Sequence, residues 1–377
     1  MINLADRHLL IAGGSGVIGA GAVEHFARAG WRVTTVSRRA PIVDDECRFD
    51  HIAVDLLDRD AVAAAIAESS PVTHLIYAAV KEAPGLVSGW YDPAQIEANG
   101  AMFANLIDPL AKTGALAHVS LLQGTKAYGA HHHLIEVPAR EDRPRDPHPN
   151  FYWLHEDRLR ARAAEAGFDF TIFRPQVLIG GAPGAAMNPV AAIGAYAALC
   201  RALGRPFAYP GADTAFIELV DTALLAEALD WAAFAPAAAG QVFNIANGDV
   251  LVPSHAWLHL GEAMGLATGE PHAMKLVDFF AEPESKAAWA RLVERHGLRI
   301  AELSGLLGES HHYVDLLLGN RLAERSVPVL LSTIKIRKAG FTDCRDSLSS
   351  LIHWLGRMVE LRLLPPLGAA AELAVGA

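Results

Sequence analysis

The chain has 377 residues, of which 52% are apolar and 20% are charged, and its formal net charge is −10 at pH 7. This apolar content excludes intrinsic disorder and is enough to build a large hydrophobic core. The excess of acidic side chains excludes the broad positive surface that binding of nucleic acid or an anionic membrane requires. Any anionic ligand must therefore be held by local positive charge.

The three cysteines, Cys47, Cys200 and Cys344, are odd in number and lie far apart in the chain. They form no CxxC pair, which excludes a disulfide framework and a cysteine zinc site and favours a reducing compartment. The N-terminal residues lack the basic start and the cleavage site of a signal peptide. No uncharged apolar run reaches the ~20 residues that span a bilayer. We expect a soluble, cytoplasmic protein with no membrane partner.

Apolar strands alternate with amphipathic helices in the first half of the chain. The predicted strands are 8–12, 32–36, 52–54, 74–79, 117–122 and 169–174. The predicted helices are 17–29, 58–68, 93–112 and 150–166. This order indicates an α/β protein with a Rossmann-type, doubly wound parallel sheet that carries helices on both faces.

The pattern changes after residue 174. Residues 175–189 are rich in Gly, Pro and Ala and predict a loop, whereas 190–203 and 254–265 predict helices. Residues 241–245 predict a returning strand, and most of 270–330 is expected to be helical. The residues from 368 onwards are small and apolar, which is typical of a frayed tail.

A glycine-rich turn follows the first predicted strand and opens the first helix. Its sequence is Gly13-Gly14-Ser15-Gly16-Val17-Ile18-Gly19, which fits G-x-x-G-x-x-G. Gly13 permits a tight turn, Gly16 lets the backbone approach a pyrophosphate, and Gly19 lets the helix pack on the strand. Unpaired N–H groups at the helix start, including those of Val17 and Ile18, would bind the pyrophosphate. A turn with no ligand could carry the same glycines, but the strand–turn–helix context predicts a dinucleotide site.

The end of the second strand distinguishes NAD from NADP. An NAD site usually carries Asp or Glu there, to bind the ribose hydroxyl groups. This chain has Ser37-Arg38-Arg39 instead, and two guanidinium groups suit a 2′-phosphate. The sequence therefore predicts NADP(H), although a solvated arginine pair would look the same. Asp55 and Leu56 are placed to flank the adenine, unless Asp55 only caps the following turn.

We accordingly expect residues 1–180, together with the strand near 241–246, to form an NADP-binding Rossmann domain. Residues 181–377 are expected to form mostly a smaller, mainly helical substrate-binding lobe. The expected cofactor site also includes residues near later strand ends and in the loop after residue 175. These are Ala78, Ala79, Ser120, Leu121, Tyr152, Pro175, Leu178 and Met187.

A tyrosine and a lysine from separate segments are the candidate catalytic pair. The short-chain dehydrogenase/reductase superfamily, which this layout resembles, usually places them as Y-x-x-x-K on one helix. Here Tyr152 is followed by Glu156, and a carboxylate there does not favour the phenolate. Lys126, in the segment after the fifth strand, can reach the same cleft. Three alternatives remain open. Tyr152 could be a core aromatic, Lys126 could be a solvated lysine, and Tyr128 could be the phenol of the site instead.

Several motifs resemble one atypical branch of that superfamily, the progesterone 5β-reductase and iridoid synthase-like enone reductases. They cover most of the chain. These motifs are the glycine loop, Ser37-Arg38-Arg39, Thr73-His74-Leu75-Ile76-Tyr77, Asn99 to Asn105 with Met102-Phe103, His118-Val119-Ser120 with Lys126, Asn150-Phe151-Tyr152 with Glu156-Asp157, Arg174-Pro175 with Gly180, and Lys338-Ala339-Gly340-Phe341. The chain departs from the family at Ala78-Ala79-Val80 and Gln176-Val177-Leu178. The resemblance therefore does not determine the substrate pocket.

The resemblance implies conjugate reduction of an activated C=C bond with NADPH. Tyr152 would donate a hydrogen bond to the substrate carbonyl oxygen as negative charge develops there, and Lys126 would keep the phenol polarised. The expected substrate is a small apolar enone: a steroid 4-ene-3-one such as progesterone, or a smaller enone or enal. Apolar and aromatic side chains are typical of such pockets, although each could belong to the core. The candidates are Trp90, Phe151, Trp153, Tyr313 and Phe341.

The run His131-His132-His133 invites a metal interpretation, but three consecutive histidines do not converge easily on one tetrahedral ion. We expect no metal. Residues 141–149 are rich in charge and proline and are expected to form an exposed loop that could act as a lid. Alternative functions are a carbonyl reductase, a nucleotide-sugar epimerase or dehydratase, and a non-catalytic NADP sensor. No nucleic-acid partner is expected, and a homodimer is left open.

Overall fold

Parallel strands and the helices between them make up most of the molecule. The computed structural model describes residues 7–84, 86–211, 216–319 and 329–368. The strands are β1 (His8–Ala12), β2 (Arg32–Ser37), β3 (Asp50–Ala53), β4 (His74–Tyr77), β5 (His118–Leu122), β6 (Asp169–Pro175), β7 (Val177–Ile179), β8 (Leu219–Asp221) and β9 (Gln241–Ile245). Within the described ranges, no helix combines the length and apolar character needed to cross a membrane.

The helices vary in length from one or two turns to 20 residues. They are α1 (Val17–Arg28), α2 (Arg59–Glu68), α3 (Pro93–Lys112), α4 (Phe151–Ala166), α5 (Pro189–Leu203), α6 (Thr222–Ala232), α7 (Pro253–Ala263), α8 (Leu276–Ala281), α9 (Pro283–His296), α10 (Leu303–Leu307), α11 (Ser310–Leu317), α12 (Ile334–Lys338) and α13 (Ser347–Glu360). Short 3-10 helices cover Ser88–Tyr91, Thr125–Tyr128 and Pro236–Ala238.

The chain divides into two units. The first unit comprises Met1–Gln176, Thr222–Ala246 and Leu331–Asp343. Its parallel sheet has the strand order β3-β2-β1-β4-β5-β6-β9. The strand order reverses direction between β1 and β4, which is where ligands bind in open α/β sheets. The predicted doubly wound fold and the returning strand at 241–245 are confirmed.

Local sequence explains the elements that frame this sheet edge. Every residue of β1 and β4 is buried, as expected for strands that are covered on both faces. Helix α3 begins at Pro93 after Asp92, whose carboxylate accepts a hydrogen bond from the Ala94 N–H at 2.9 Å. Helix α4 ends at Gly167, whose φ of +77° suits glycine.

The second unit comprises Val177–Asp221, Asn247–Leu330 and Cys344–Ala377. It holds α5, α7 to α11 and α13, with the two short parallel strands β7 and β8. The prediction of a loop over 175–189 is wrong at two places, because β6 extends to Pro175 and β7 covers Val177–Ile179. Three residues are too few to show an alternating pattern, and β7 is stabilised by the distant β8. Residues 320–328 of the predicted helical stretch and 369–377 of the predicted frayed tail lie outside the described residues.

Buried histidines in the first unit predict sensitivity to acid. His74 on β4 and His118 on β5 are register partners, and their rings lie 6.4 Å apart. Burial lowers the pKa of His74 to about 4 and that of His118 to about 3, well below the ordinary value of 6.5. Below pH 6.5 the unfolded chain therefore takes up protons that the native chain does not. The free energy of unfolding must fall as the pH drops towards 4.

Replacing His118 by glutamine removes one of the groups that take up a proton when the chain unfolds in acid. The glutamine amide can still bond Thr171 Oγ1, which is the partner of His118 Nε2 at 3.1 Å. We expect His118→Gln to flatten the pH dependence of the unfolding free energy between pH 6 and 4.5 by up to about 1.4 kcal/mol per pH unit. Urea unfolding across this range measures it. His272→Gln, at an exposed position, should leave the slope unchanged. Equal slopes in the His118→Gln variant and the parent would contradict the assignment.

Candidate active site

The glycine loop closes at the end of β1 through backbone contacts. The Gly13 N–H donates to the Val36 carbonyl at 3.0 Å, and the Gly16 N–H donates to the Gly13 carbonyl at 2.9 Å. A Cβ at Gly13, where φ is +85°, would lie 2.8 Å from Ala79 Cα. A Cβ at Gly19 would lie 2.2 Å from the Gly13 carbonyl oxygen. The loop therefore requires glycine at both positions, and it places the start of α1 beside the end of β4.

The loop fits the phosphates of a dinucleotide. Gly16 is the N-cap residue of α1, and no side chain caps this helix start. The first N–H groups of α1, at Val17 and Ile18, have no partner within the helix and can donate to an anion. Ala78 and Ala79 are also predicted to bind the cofactor. They adjoin Gly13, as the short distance from an added Gly13 Cβ to Ala79 Cα shows. The structure therefore brings together the predicted phosphate site and the residues that follow β4.

The end of β2 presents its basic residues to solvent. Arg38 and Arg39 are exposed, and Ser37 Oγ donates to the Arg39 carbonyl at 2.7 Å. Asp55 Oδ1 accepts the Leu57 N–H at 3.0 Å, so the carboxylate caps its turn, and Leu56 is buried. The arginines are thus available to a ligand, whereas contact of Asp55 with an adenine stays a prediction.

Tyr152 lies in the first turn of α4, where Asn150 positions it. Asn150 Oδ1 accepts the Tyr152 N–H at 3.0 Å, and Asn150 Nδ2 donates to the Lys126 carbonyl at 3.3 Å. A Cβ added to Gly124 would lie 3.2 Å from the Tyr152 hydroxyl oxygen. The tyrosine hydroxyl therefore lies against the residue that opens the turn Thr125–Tyr128, which carries Lys126.

The Lys126 ammonium group is buried in an aromatic cage. Its Nζ lies 4.6 Å from the Trp90 ring centroid, 5.7 Å from that of Phe151 and 5.9 Å from that of Tyr152. Glu82 Oε1 lies 3.5 Å from Nζ. Burial lowers the pKa of Lys126, and Glu82 acts in the opposite direction. The structure thus brings together Lys126 and Tyr152, as predicted, with Trp90 and Phe151 beside them.

Glu156, which replaces the lysine of Y-x-x-x-K, is held by arginines. Its carboxylate lies 2.8 Å from Arg160 Nη2 and 3.2 Å from Arg145 Nη2, and it accepts from Gln123 Nε2 at 3.2 Å. Burial alone would raise the pKa of Glu156, but these arginines outweigh it and the pKa is lowered. The negative charge one turn from Tyr152 is therefore balanced locally, which removes the objection raised from the sequence.

The rival phenol, Tyr128, is engaged elsewhere in the first unit. Its hydroxyl donates to Asn244 Oδ1 at 2.6 Å, and the Arg174 guanidinium lies 5.0 Å from its ring centroid. Burial raises the pKa of Tyr128. These contacts give the hydroxyl a structural partner and favour Tyr152 as the phenol of the site.

The remaining predicted residues lie in three places. Trp153 donates through Nε1 to the His148 carbonyl at 3.2 Å, and Phe341 packs on Trp231 with ring centroids 5.7 Å apart. Ser120 and Leu121 are buried in β5, and Pro175 ends β6. Leu178, Met187 and Tyr313 belong to the second unit. Participation of all these residues in ligand binding stays a prediction.

The histidine run forms contacts with its own neighbourhood. His133 Nε2 and His148 Nδ1 each lie 2.5 Å from an oxygen of Asp146, and the His131 ring packs on that of His148 at 4.7 Å. Burial, with His148 and Lys126 nearby, lowers the pKa of His131 to about 3. Among the residues that the structure describes, no group of three or more His, Cys, Asp or Glu side chains could hold a metal ion.

Residues 9–246 match the family described as "NAD dependent epimerase/dehydratase family". The chain belongs to this family. Solved structures share its fold: the UDP-glucose 4-epimerase of Bifidobacterium longum in complex with NAD+ and UDP matches 94% of this chain and 98% of its own, with a TM-score of 0.65 at 14% identity. The UDP-glucose 4-epimerase of Brucella ovis in complex with NAD matches 92% and 96%, with a TM-score of 0.63 at 17% identity.

Curated relatives of this epimerase/dehydratase-family chain include plant proteins of nearly equal length. It is 28% identical to "(S)-8-oxocitronellyl enol synthase" of Antirrhinum majus, over 94% of this chain and 92% of the relative. It is also 28% identical to "3-oxo-Delta(4,5)-steroid 5-beta-reductase" of Arabidopsis thaliana, over the same shares. The resemblance drawn from the motifs is thereby confirmed, and so is an NAD(P)-dependent family.

Sequence reasoning missed two polar residues of this family member's site. Glu82 pairs with Lys126, and Gln123 links Glu156 to Arg174, whose Nε donates to Gln123 Oε1 at 2.9 Å. Both follow the C-terminal ends of strands, β4 and β5, where sites in such sheets form. A position after the end of a strand is the feature by which the sequence could have indicated these residues. It does not by itself tell which polar side chain will pair with the lysine.

Proposed function

We propose that this chain is an NADPH-dependent reductase of the C=C bond of α,β-unsaturated carbonyl compounds. The observation that carries the proposal is the buried Lys126 beside Tyr152, contributed by separate segments, while Glu156 occupies the usual lysine position. A relative named as a 3-oxo-Δ4,5-steroid 5β-reductase supports enone reduction as the chemistry. Nothing in the geometry specifically favours epimerisation or a non-catalytic role.

Each residue of the site has a part in this chemistry. NADPH, when bound, supplies the hydride that adds to the β-carbon of the substrate. Tyr152 donates a hydrogen bond to the carbonyl oxygen, where negative charge then develops, and so stabilises the enolate-like transition state. The positive charge of Lys126 makes the phenol a better donor. The aromatic rings of Trp90 and Phe151 exclude water, which strengthens both electrostatic interactions.

The substrate that this site suits is apolar around its reactive carbons. Aromatic side chains such as Trp90 bury apolar surface, while the polar groups of the site are few and directed. Steroid 4-ene-3-ones and smaller enones or enals meet this description. A reducing compartment such as the cytoplasm, where NADPH serves reduction, agrees with free Cys47, Cys200 and Cys344.

The functional test is consumption of NADPH with a panel of steroid enones, small cyclic enones and enals, followed by identification of the products. The proposal predicts saturated ketones or aldehydes, formed when the enolate left by hydride transfer from NADPH, which becomes NADP+, takes up a proton from water at its α-carbon. Products in which the C=C bond persists and the carbonyl has become an alcohol would overturn conjugate reduction and favour a carbonyl reductase.

Selectivity for NADPH is expected to depend on Arg38 and Arg39. The double variant Arg38→Ala with Arg39→Ala loses two exposed guanidinium groups that would bind a 2′-phosphate, and charge-assisted bonds of this kind contribute about 1.5–3 kcal/mol each. We expect KM for NADPH to rise at least ~10-fold, with little change for NADH. Arg32→Ala, at the other end of β2, is the matched control. An equal rise for both cofactors would refute a phosphate clamp.

A further inference from the structure

The Lys126 ammonium group is buried among aromatic rings with the Glu82 carboxylate 3.5 Å away. Three aromatic rings surround it, and its own side chain is 11% exposed. The ring faces attract the cation, but burial penalises its charged form and the pKa of Lys126 is lowered. A neutral amine would no longer favour the polarised phenol of Tyr152. Some nearby group must therefore hold the proton on Lys126 at neutral pH.

The titratable groups that face Lys126 come from three elements. Tyr152 approaches from α4, His131 from the segment after the turn Thr125–Tyr128, and Glu82 from the segment after β4. His131 is neutral at physiological pH because its pKa is lowered to about 3. Among the described residues, Glu82 is thus the anion facing the ammonium group.

Glu82 is itself fixed by helix α3. Its Oε2 accepts a hydrogen bond from Gln95 Nε2 at 2.9 Å, and Gln95 Oε1 accepts the Ala83 N–H at 2.8 Å. Asn99, one turn further along the same face, accepts the Lys81 N–H and donates to the Lys81 carbonyl, at 2.8 and 2.9 Å. The Glu82 side chain is 6% exposed. Two amide side chains thus hold residues 81–83 so that the Glu82 carboxylate points at Lys126.

We propose that Glu82 is a positioning residue that keeps the ammonium group of Lys126 charged and directed at Tyr152. This inference rests on the proposed function and extends its machinery to a residue that acts through Lys126. Gln95 of α3 positions Glu82, and Glu82 in turn positions Lys126. The ammonium group of Lys126 then acts on the phenol. Because the interior is nearly dry, a single carboxylate at this distance has a large effect on the lysine proton.

The decisive variant is Glu82→Gln, which keeps the shape of the side chain and removes its charge. We expect the basic limb of the pH profile of kcat/KM to move down by about 1–2 pH units, because the Lys126 pKa falls when its counter-ion is lost. Glu82→Asp carries the charge on a shorter side chain. It should move the basic limb of the pH profile at least part of the way back to its position in the parent. Glu97→Gln, which removes an exposed carboxylate from α3, should leave the profile unchanged.

A second measurement is independent of turnover. The Lys126 side-chain resonance, assigned in protein carrying ¹³C-labelled lysine by its absence from Lys126→Met, reports the lysine pKa directly. The Glu82→Gln variant must show a lower Lys126 pKa than the parent and Glu97→Gln. An unchanged Lys126 pKa would overturn the inference whatever the enzyme reduces. A lowered pKa in a protein that reduces no enone would keep the electrostatic role of Glu82 and count against the proposed function.

Discussion

Replacing Tyr152 by phenylalanine is expected to lower kcat for enone reduction by about 10²–10³-fold, the usual cost of removing one donor from a developing oxyanion. The ring of Tyr152 is buried and packs on Phe151 with centroids 4.7 Å apart, so Tyr152→Phe retains this packing. The hydroxyl lies beside Gly124. The Kd for NADPH should therefore stay within a few-fold of the parent.

Single-turnover kinetics with NADPH and an enone measure this effect, together with a fluorescence titration of NADPH for binding. Tyr128→Phe is the matched control, because it removes a phenol hydroxyl that donates to Asn244. That change should lower stability by about 1–3 kcal/mol, through the buried acceptor left unpaired, and leave turnover intact. Equal turnover in Tyr152→Phe and the parent would exclude Tyr152 as the catalytic donor.

The second large effect is expected at Gly19. An added Cβ would lie 2.2 Å from the Gly13 carbonyl oxygen and 2.6 Å from Gly14 Cα, and both are backbone atoms that cannot rotate away. In Gly19→Ala the whole turn must move away from α1. Hydrogen bonds from the turn to the charged pyrophosphate contribute about 1.5–3 kcal/mol each, so the loss of two of them weakens binding on the order of 100-fold or more. We expect NADPH binding to weaken by at least that factor.

Isothermal titration with NADPH measures the affinity, and circular dichroism checks that the fold persists. Gly16→Ala offers a contrast, because its Cβ would lie 3.3 Å from the Gly13 carbonyl oxygen, a contact that small shifts relieve. Weaker NADPH binding by Gly16→Ala at unchanged stability would locate the pyrophosphate at Gly16. Unimpaired NADPH binding by Gly19→Ala would mean that the dinucleotide does not use this loop.

The first unit was largely predictable because its elements are local. Strand β1 and helix α3 were predicted with the bounds that the structure shows, since apolar runs, an N-cap and Pro93 mark them in the sequence. Strands β7 and β8 were not predicted, because each has three residues and depends on the other. Helix α13 was missed although Asp346, which accepts the Ser349 N–H at 2.7 Å, supplies the N-cap signal.

The structure brings together the two side chains that the sequence indicated as the candidate catalytic pair, but the charged partners of the site could not be predicted. Lys126 and Tyr152 could be named from the sequence, because a family motif and the end of β5 marked them. The partner of Lys126 could not be named, since side chains of α3 far along the chain hold residues 81–83 in the position from which Glu82 reaches the lysine. In the same way, the sequence shows a carboxylate at Glu156 but not the two arginines that balance it.

The central claim is that hydride is delivered to the β-carbon of an enone held at Tyr152. It is tested most directly with NADPH that carries deuterium at both C4 positions, by locating the label in the product by NMR. We predict deuterium on the β-carbon of a saturated carbonyl product, with loss of that signal in Tyr152→Phe under the same conditions. Deuterium on the former carbonyl carbon, in a product that keeps its C=C bond, would contradict the account.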